Sequence, residues 1–244
     1  ATWLASLVQR DASLVDRVWS VSIAGAGVVY CSLLSPVSAR GALMVALACI
    51  WALRLSSFIT WRNWGHGEDR RYQEIRDRNE PHFGLKSIYL VFALQAVLAW
   101  VVSTPLLAGM SADSEMGWVD YAGAALALFG MVFEAIADFQ MARFKAGSAN
   151  VGKVMDRGLW RYSRHPNYFG EACVWWGLWI MAMAGARWAA IWSLVSPLLM
   201  TFLLLKVSGV RLLEKDIAER RPQYRDYARR TNAFIPGPVR NTPS

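Results

Sequence analysis

The sequence predicts an all-α integral membrane protein, a polytopic bundle of six to seven transmembrane helices. Hydrophobic residues make up 55% of the 244 residues, and 13 residues are tryptophan. Apolar runs close to the roughly 20 residues that a helix needs to cross a bilayer recur along the chain. Both observations favour a membrane bundle over a soluble protein, and we treat residues 1–244 as a single transmembrane domain.

Six segments have the length and composition of spanning helices: residues 18–35, 41–60, 86–110, 117–140, 169–185 and 188–209. Residues 1–15 are too short to span the bilayer by themselves. They belong either to a clipped first helix, which would be a seventh span, or to an interfacial helix. The sequence contains no internal repeat that would indicate a solenoid or a duplicated transporter fold.

Lysine and arginine concentrate in alternate loops. Of the 26 cationic residues, all except Arg40, Arg54 and Arg187 lie before residue 18 or within 61–86, 141–168 and 206–244. Cytoplasmic loops of membrane proteins carry such an excess. The distribution predicts six crossings with both termini in the cytoplasm. The inward loops are also the long, aromatic-rich ones, which favours an enzyme that faces the cytoplasm.

Several classes of site are disfavoured by the same sequence. The net charge of +8 follows the topology, so we expect no nucleic-acid partner. The three cysteines show no metal-ligand or disulfide spacing, and His66 and His82 have no partner at ligand spacing, so no metal site is expected. A nucleotide cofactor would have to be held by the helices themselves, because the chain has neither a GxGxxG nor a GxxxxGK[ST] motif.

Ionisable side chains at membrane depth are costly and are therefore candidate functional residues. Glu134 and Asp138 are spaced i, i+4 on one helix face, which Lys145 continues. They form either a structural ion pair with a cation such as Arg54 or the wall of a cofactor cavity. Asp16 and Glu171 lie near predicted helix N-termini, where a carboxylate also stabilises the helix dipole. Both readings stay open at this point.

The inward loop of residues 61–84 mixes Arg62 and Arg70 with Trp64 and Tyr72. Guanidinium groups match phosphate geometry, and aromatic rings can stack on a base. A solvated charged loop is the alternative interpretation. The loop alone does not decide between them.

The stretch RYSRHPNYFGEACVWW, residues 161–176, joins a basic turn to an apolar helix. Pro166 is suited to the first position of that helix. The backbone N–H groups of Asn167, Tyr168 and Phe169 would then point towards the cytoplasm and could bind an anion. Topology explains the arginines and the membrane interface explains the tryptophans. Neither explains the Asn-Tyr pair or Glu171.

Four stretches in this order resemble the steroid 5α-reductase superfamily, in particular its bacterial members: SLVDRVWS (13–20), RLSSFITWRNWGHGEDRRYQ (54–73), RYSRHPNYFGE (161–171) and EKDIAERRPQYRDYARRTNAFIP (214–236). The resemblance implies an all-helical bundle in the bacterial inner membrane, with NADPH entering from the cytoplasm. It also implies hydride transfer to the β-carbon of an enone, typically a 4-ene-3-oxo steroid that enters from the bilayer.

The resemblance further implies site residues. Those that would bind the cofactor are Arg62, Arg70, Glu134, Asp138, Lys145, Lys153, Arg164, His165, Asn167, Tyr168, Glu171, Arg211 and Tyr224. At the substrate end, the catalytic Glu of animal members falls on Asp16, which in protonated form would polarise the carbonyl group. Their catalytic Tyr falls near Trp51, which has no phenol, so Tyr30 or Arg54 is expected to replace it.

Two alternatives remain from the sequence. The RHP-x-Y motif also occurs in isoprenylcysteine carboxyl methyltransferases, membrane enzymes that use S-adenosylmethionine. A small transporter or lipid-binding scaffold is the alternative without enzymatic activity. The sequence leaves open the natural substrate, the preference for NADPH over NADH, the proton donor and the oligomeric state, with a monomer as one expectation.

Overall fold

The computed structural model of the protein describes residues 1–34, 36–111, 114–207 and 221–240. Within these residues the chain forms helices and turns, with no strand and one isolated β-bridge between Ser163 and Asn232. The fold divides into two compact units. The first contains Ala1–Met116 and Gly185–Ser193, and the second contains Gly117–Ala184 and the described residues from Leu194 onward.

The first unit is built from seven helices within its described residues. They are α1 (Thr2–Gln9), α2 (Leu14–Leu33), α3 (Ala39–Asn63), α4 (Arg70–Asn79), α5 (Phe83–Ser87), α6 (Leu94–Val102) and α7 (Thr104–Met110). A π-helical turn, Ile88–Ala93, joins α5 to α6. Between α2 and α3, the Ser20 hydroxyl donates to the Ala52 carbonyl, which is one of the polar contacts that fix this antiparallel pair.

Side chains at the helix starts explain several of these boundaries. The Ser38 hydroxyl accepts a hydrogen bond from the Gly41 N–H at the start of α3. The Asp69 carboxylate accepts one from the Arg71 N–H at the start of α4. Helices leave their first N–H groups without intrahelical partners, so these acceptors favour initiation there. α4 itself is strongly polar and belongs to the loop between two apolar segments.

The second unit contains α8 (Trp118–Ala146), α9 (Pro166–Ala186, shared at its end with the first unit), α10 (Val195–Phe202) and α11 (Gln223–Arg230). Short 3₁₀ turns cover Ser148–Asn150, Gly158–Arg161 and Arg187–Leu194, and a π-helical turn covers Leu203–Val207. α9 begins at Pro166, as the sequence predicted, because proline needs no N–H partner at that position.

Glycines let α8 and α9 approach closely. A Cβ atom added to Gly170 would lie 2.7 Å from the backbone nitrogen of Glu134 and 2.7 Å from the carbonyl oxygen of Gly130. A second pair, Gly123 and Gly177, repeats the arrangement. In both helices the paired glycines are seven residues apart, which places them on one face. Small residues permit this approach in membrane helices.

Five helical segments are long and apolar enough to cross a membrane: Leu14–Leu33, Ala39–Asn63, Phe83–Met110, Trp118–Ala146 and Pro166–Lys206. A multi-pass membrane helix bundle is therefore supported, but the predicted count of six to seven spans is not confirmed. The predicted fifth and sixth spans form one continuous segment of 41 residues. It has about twice the roughly 20 residues that one crossing needs, and the 3₁₀ turn Arg187–Leu194 divides it.

The N-terminal residues form a short helix. α1 has eight residues, Thr2–Gln9, and both alternatives for residues 1–15 stay predictions. Its side chains Leu4 and Val8 are exposed. An exposed apolar face on a short helix is typical of an interfacial segment.

Candidate functional site

The predicted acidic pair lies on a buried face of α8. Glu134 is 2% exposed and Asp138 is 6% exposed. The Gly130–Gly170 contact holds the start of α9 against this face, since the Gly170 backbone lies beside the Glu134 nitrogen. The structure thus brings the α8 carboxylates next to the HPNY stretch, as the sequence predicted for residues of one site. Glu171, in the second turn of α9, is also buried.

Asn167 connects the two helices. Its Nδ2 donates a hydrogen bond to Asp138 Oδ1 at 3.2 Å. The Oδ1 atom of Asn167 is buried and accepts no hydrogen bond from the described part of the chain. A buried carbonyl oxygen without a donor is costly, so this atom is a candidate acceptor for a bound ligand. The carboxamide NH₂ of a nicotinamide has the donor that would fit it.

His165 and Tyr168 form a flat aromatic surface. Their rings stack with centroids 5.4 Å apart and an interplanar angle of 2°. The helix geometry explains the pairing, since residues three apart lie on the same side of the first turn. The predicted anion site has one N–H donor fewer than expected, because the Phe169 N–H already donates to the His165 carbonyl.

Arg164 has a role that the sequence did not indicate. Its Nη1 donates to the carbonyl oxygens of Ala228 at 2.7 Å and Thr231 at 3.0 Å. These are carbonyls at the C-terminal end of α11, where a cation also interacts favourably with the helix dipole. In this structure Arg164 therefore anchors α11, whereas the resemblance had implied a contact to the cofactor.

The C-terminal segment folds onto the same stretch of chain. Tyr227 donates to the Trp160 carbonyl, and the Ser163 hydroxyl donates to the Phe234 carbonyl at 2.7 Å. Tyr224 is buried and packs edge-on against Tyr227. The structure thus places the predicted residue Tyr224 in the core that supports the HPNY turn.

The remaining predicted residues of the second unit are more peripheral. The side chains of Lys145 and Lys153 are exposed, and the Lys153 carbonyl accepts a hydrogen bond from Arg221. Exposed cations can reach a phosphate without a desolvation cost, so their positions suit that role but do not require it. Arg211 lies outside the described residues.

In the first unit, Asp16 receives two donors from α4. The Tyr72 hydroxyl donates to Asp16 Oδ1 at 2.6 Å, and Arg71 Nη2 donates to Asp16 Oδ2 at 2.8 Å. Tyr72 is 6% exposed. Two donors, one of them a guanidinium, suit an ionised carboxylate. The resemblance implied that a protonated Asp16 would polarise a carbonyl group. In this structure the Asp16 carboxyl group accepts hydrogen bonds from Tyr72 and Arg71, and the implied role stays a prediction.

Asp69 holds Arg71 in place from the other side. Its Oδ1 accepts from both the backbone N–H and the Nε of Arg71, each at 2.9 Å. Burial acts to raise the pKa of Asp69, but its hydrogen bonds and charge interaction with Arg71 outweigh burial and lower that pKa. Burial acts to lower the pKa of Arg71, but hydrogen bonding to Asp69 and the charge of Asp16 raise it. Both groups therefore stay charged over the physiological pH range.

Tyr72 stays neutral over the same range. Burial raises the pKa of its hydroxyl well above the ordinary value, and the neighbouring Asp16 carboxylate raises it further. Tyr72 packs in an apolar cluster with Val15, Phe83 and Val91. A neutral phenol keeps its proton and can donate one hydrogen bond. From the sequence, Tyr72 was expected only as one aromatic ring of the loop.

The other residues that were predicted to be catalytic are Tyr30, which lies on α2, and Arg54, which lies on α3. The Tyr30 hydroxyl is 2.9 Å from the Ser103 hydroxyl. Fourteen residues separate Tyr30 from Asp16 on α2, which is about 21 Å along the axis. Tyr30 is therefore not brought to Asp16. Arg54 is half-buried in α3, and Trp51 is buried.

Arg62 and Arg70 lie at the α3–α4 connection. The Arg62 side chain donates to Asn63 and lies over the Phe58 ring, and Arg70 forms an exposed ion pair with Glu74 at 3.2 Å. Both guanidiniums are therefore engaged only at the surface, where such pairs are weak. A phosphate would compete with these contacts at little cost.

Comparison with known proteins gives the family. Residues 2–231 match the profile of the family described as protein of unknown function (DUF1295), a steroid 5α-reductase-like membrane family. The chain is also similar to the uncharacterized protein C594.04c of Schizosaccharomyces pombe. The two are 25% identical over 270 residues, which cover 96% of this chain and 75% of that protein. No solved structure matches the chain. Because the family profile spans nearly the whole chain, the protein belongs to the DUF1295 family.

Proposed function

We propose that the protein reduces the C=C bond of a hydrophobic enone, with NADPH as the hydride donor. The observation that supports the proposal most is the buried Tyr72 hydroxyl, which is held on Asp16 at 2.6 Å. This neutral phenol could donate its single proton to a carbonyl oxygen by turning away from Asp16. Hydrogen bonding to that oxygen makes the β-carbon of an enone electrophilic.

The reaction is a two-electron reduction that adds two hydrogen atoms to the C=C bond, one as a hydride and one as a proton. The bound cofactor supplies the hydride to the β-carbon. The C=C electron pair then shifts, and negative charge develops on the carbonyl oxygen, where the Tyr72 hydroxyl stabilises it. A proton from solvent water, added at the α-carbon, completes the saturated ketone. Arg71 keeps the Asp16 carboxylate in place, and the Tyr72 hydroxyl would turn from Asp16 to the substrate oxygen, because its single proton is donated to one acceptor at a time.

Residues of the second unit fit the nicotinamide half of the cofactor. The buried Oδ1 of Asn167 would accept from the carboxamide, while Asp138 orients the Asn167 amide. The stacked rings of His165 and Tyr168 offer a flat surface at the same helix start. Exposed cations, among them Lys145 and Lys153, would neutralise phosphate charge.

The substrate class follows from the membrane setting. A sterol-like enone partitions into the bilayer and would reach the spans from the lipid. A 4-ene-3-oxo steroid, reduced at its C4=C5 bond, is the substrate that the resemblance to steroid 5α-reductases implies. Within that class, the phenol–carboxylate pair requires only a carbonyl group conjugated to a C=C bond, so smaller enones are expected to react more slowly because they bind with less apolar surface.

Calorimetric titration of the purified protein tests the cofactor assignment. NADPH is expected to bind and S-adenosylmethionine is not. Asn167→Ala should weaken NADPH binding about tenfold, the effect of losing one hydrogen bond in a buried site. Asn79→Ala is the matched control, since the Asn79 amide donates only to the Ile75 carbonyl of its own helix. Binding of S-adenosylmethionine without NADPH would overturn the proposal in favour of methyl transfer.

A further inference from the structure

The first unit contains a cavity whose wall carries charges of both signs. A cavity of about 380 Å³ lies between the end of α1 and the start of α5. Its wall includes Arg10, Arg76, Glu80 and Phe83. Small-molecule pockets measure roughly 300–1,000 Å³, so the volume is sufficient for a ligand. None of the residues that line it belongs to the Asp16–Tyr72 pair.

Arg76 is a partly occupied guanidinium in this wall. Its Nε and Nη2 donate to the Glu68 carboxylate at 2.9 and 2.8 Å, and Nη2 also donates to the Arg10 carbonyl at 3.4 Å. Its cationic carbon lies 4.5 Å from the centre of the Phe83 ring. Nη1 donates to no acceptor within the described ranges of the chain. A guanidinium held on one edge and open on the other is suited to a phosphate oxygen.

Glu80 supplies the opposite charge. It is exposed at the end of α4, and its carboxylate contributes, after Glu68, to raising the pKa of Arg76. The side chain of Arg10 is exposed on the other side of the opening. The cavity therefore presents two cations and one carboxylate. A bare anion would satisfy the cations only, whereas a zwitterion would satisfy both signs of charge.

The surroundings of the cavity are apolar and lie where spans begin. α1 exposes Leu4, Leu7 and Val8, with Val8 86% accessible. The spans Leu14–Leu33 and Phe83–Met110 both start beside the cavity. Lipid headgroups lie at the level where apolar spans give way to polar loops, and short apolar helices lie among their acyl chains. A soluble metabolite would not need contacts with the exposed side chains of Leu4 and Leu7.

We propose that this cavity binds the headgroup of a zwitterionic phospholipid that carries a primary amine, of the phosphatidylethanolamine type. The phosphate lies at Arg76 Nη1 and Arg10, the ammonium at Glu80, and the acyl chains run along Leu4, Leu7 and Val8. A phosphatidylglycerol headgroup lacks the ammonium. A phosphatidylcholine headgroup has a quaternary nitrogen that cannot donate a hydrogen bond to Glu80.

Native mass spectrometry of the delipidated protein tests the assignment with these three lipids, matched in acyl chains. Phosphatidylethanolamine is expected to bind about tenfold more tightly than the other two, since only it pairs both charges with hydrogen bonds. Equal binding of all three would overturn the proposal. So would competition by soluble phosphoethanolamine at the same concentration as the lipid, because the site would then belong to a soluble ligand.

Variants locate the two charges of the headgroup. Glu80→Gln should remove the preference over phosphatidylglycerol, and Arg10→Gln should weaken all three lipids. Glu74→Gln is the control, because Glu74 lies on the same helix and pairs with Arg70 outside the cavity. Thermal unfolding of each variant monitors folding. A Glu80→Gln protein with an unchanged melting temperature and an unchanged lipid preference would contradict the proposal.

Discussion

Asp16 receives its donors from residues 55 and 56 positions further along the chain. One donor, Arg71, is charged and is itself held by Asp69. The other, Tyr72, is neutral and buried. At the scale of single residues, the two donors to Asp16 therefore differ in charge and in function. The ion pairs fix the position of the carboxylate. The phenol donates its single proton to Asp16 in this structure, and it is the group that we propose turns to polarise a substrate.

Replacing Tyr72 with Phe tests this division. Tyr72→Phe keeps the ring in its apolar cluster and removes only the hydroxyl. The kcat for enone reduction should fall about 10²–10³-fold, the usual effect of losing one oxyanion donor, while NADPH affinity stays unchanged. Tyr89→Phe is the control, since Tyr89 is 60% exposed. Full activity in Tyr72→Phe would assign the carbonyl contact to another residue.

Asp69 gives a pH-dependent contribution to stability. Because its pKa is lowered in the folded state, the contribution is present above the unfolded value of about 3.9 and is lost as the pH falls through the lower folded value. Asp69→Asn keeps a helix cap but removes the negative charge that pairs with Arg71. At pH 7 we expect a loss of about 0.2–1 kcal/mol, measured by thermal unfolding in detergent. A melting-temperature difference that stays constant down to pH 3 would contradict the assignment.

At the scale of helices, the α8–α9 contact decides where the acidic pair lies. Both helices are apolar along their length, so composition predicts two spans but does not indicate which faces meet. The paired glycines supply that information. Their contact sets Glu134 and Asp138 beside Asn167, which a looser crossing would separate.

Gly170→Ala should destabilise the protein. The added Cβ would lie 2.7 Å from backbone atoms of α8, which cannot move independently of their helix. Overpacking of this kind costs about 1–3 kcal/mol. Gly25→Ala is the matched control in α2, because a Cβ there meets no atom within 4 Å. It should leave stability unchanged or raise it by up to about 1 kcal/mol. Equal melting temperatures for the two variants would show that the helices are not in contact at Gly170.

Sequence patterns predicted some of these features and missed others for physical reasons. Proline at a helix start and carboxylates four residues apart are local signals, so the α9 boundary and the α8 face were predictable. The contact between Tyr72 and Asp16 was not, since the sequence of α4 is typical of a charged, solvated loop and the two residues are 56 positions apart. The contact of Arg164 to the α11 carbonyls was not predictable either, because the sequence shows the charge but not the acceptors.

At the scale of the molecule, the predicted fifth and sixth spans lie within the 41-residue segment Pro166–Lys206. The sequence predicted a loop at residues 186–187, because Arg187 interrupts the apolar run. The structure instead has a 3₁₀ turn from Arg187 to Leu194, with Arg187 at a positive φ of 50°. The turn interrupts the α-helical hydrogen bonding without a separate loop.

Cysteine labelling tests whether this segment crosses twice. Arg187→Cys in a chain with its three native cysteines replaced by alanine should react with a membrane-impermeant maleimide from one side of the membrane. A cysteine in place of Arg70 should react from the opposite side. Labelling of both positions from the same side of sealed vesicles would mean that the segment does not reach across the bilayer at residue 187.

Hydride transfer is the most direct test of the central claim. The protein, purified in detergent, is incubated with testosterone or progesterone and NADPH deuterated at C4, and the product is analysed by mass spectrometry and NMR. We expect one deuterium at the β-carbon of the saturated ketone and loss of the signal in Tyr72→Phe. A protein that is folded, yet neither consumes NADPH nor transfers deuterium to these or related enones, would contradict the proposed function.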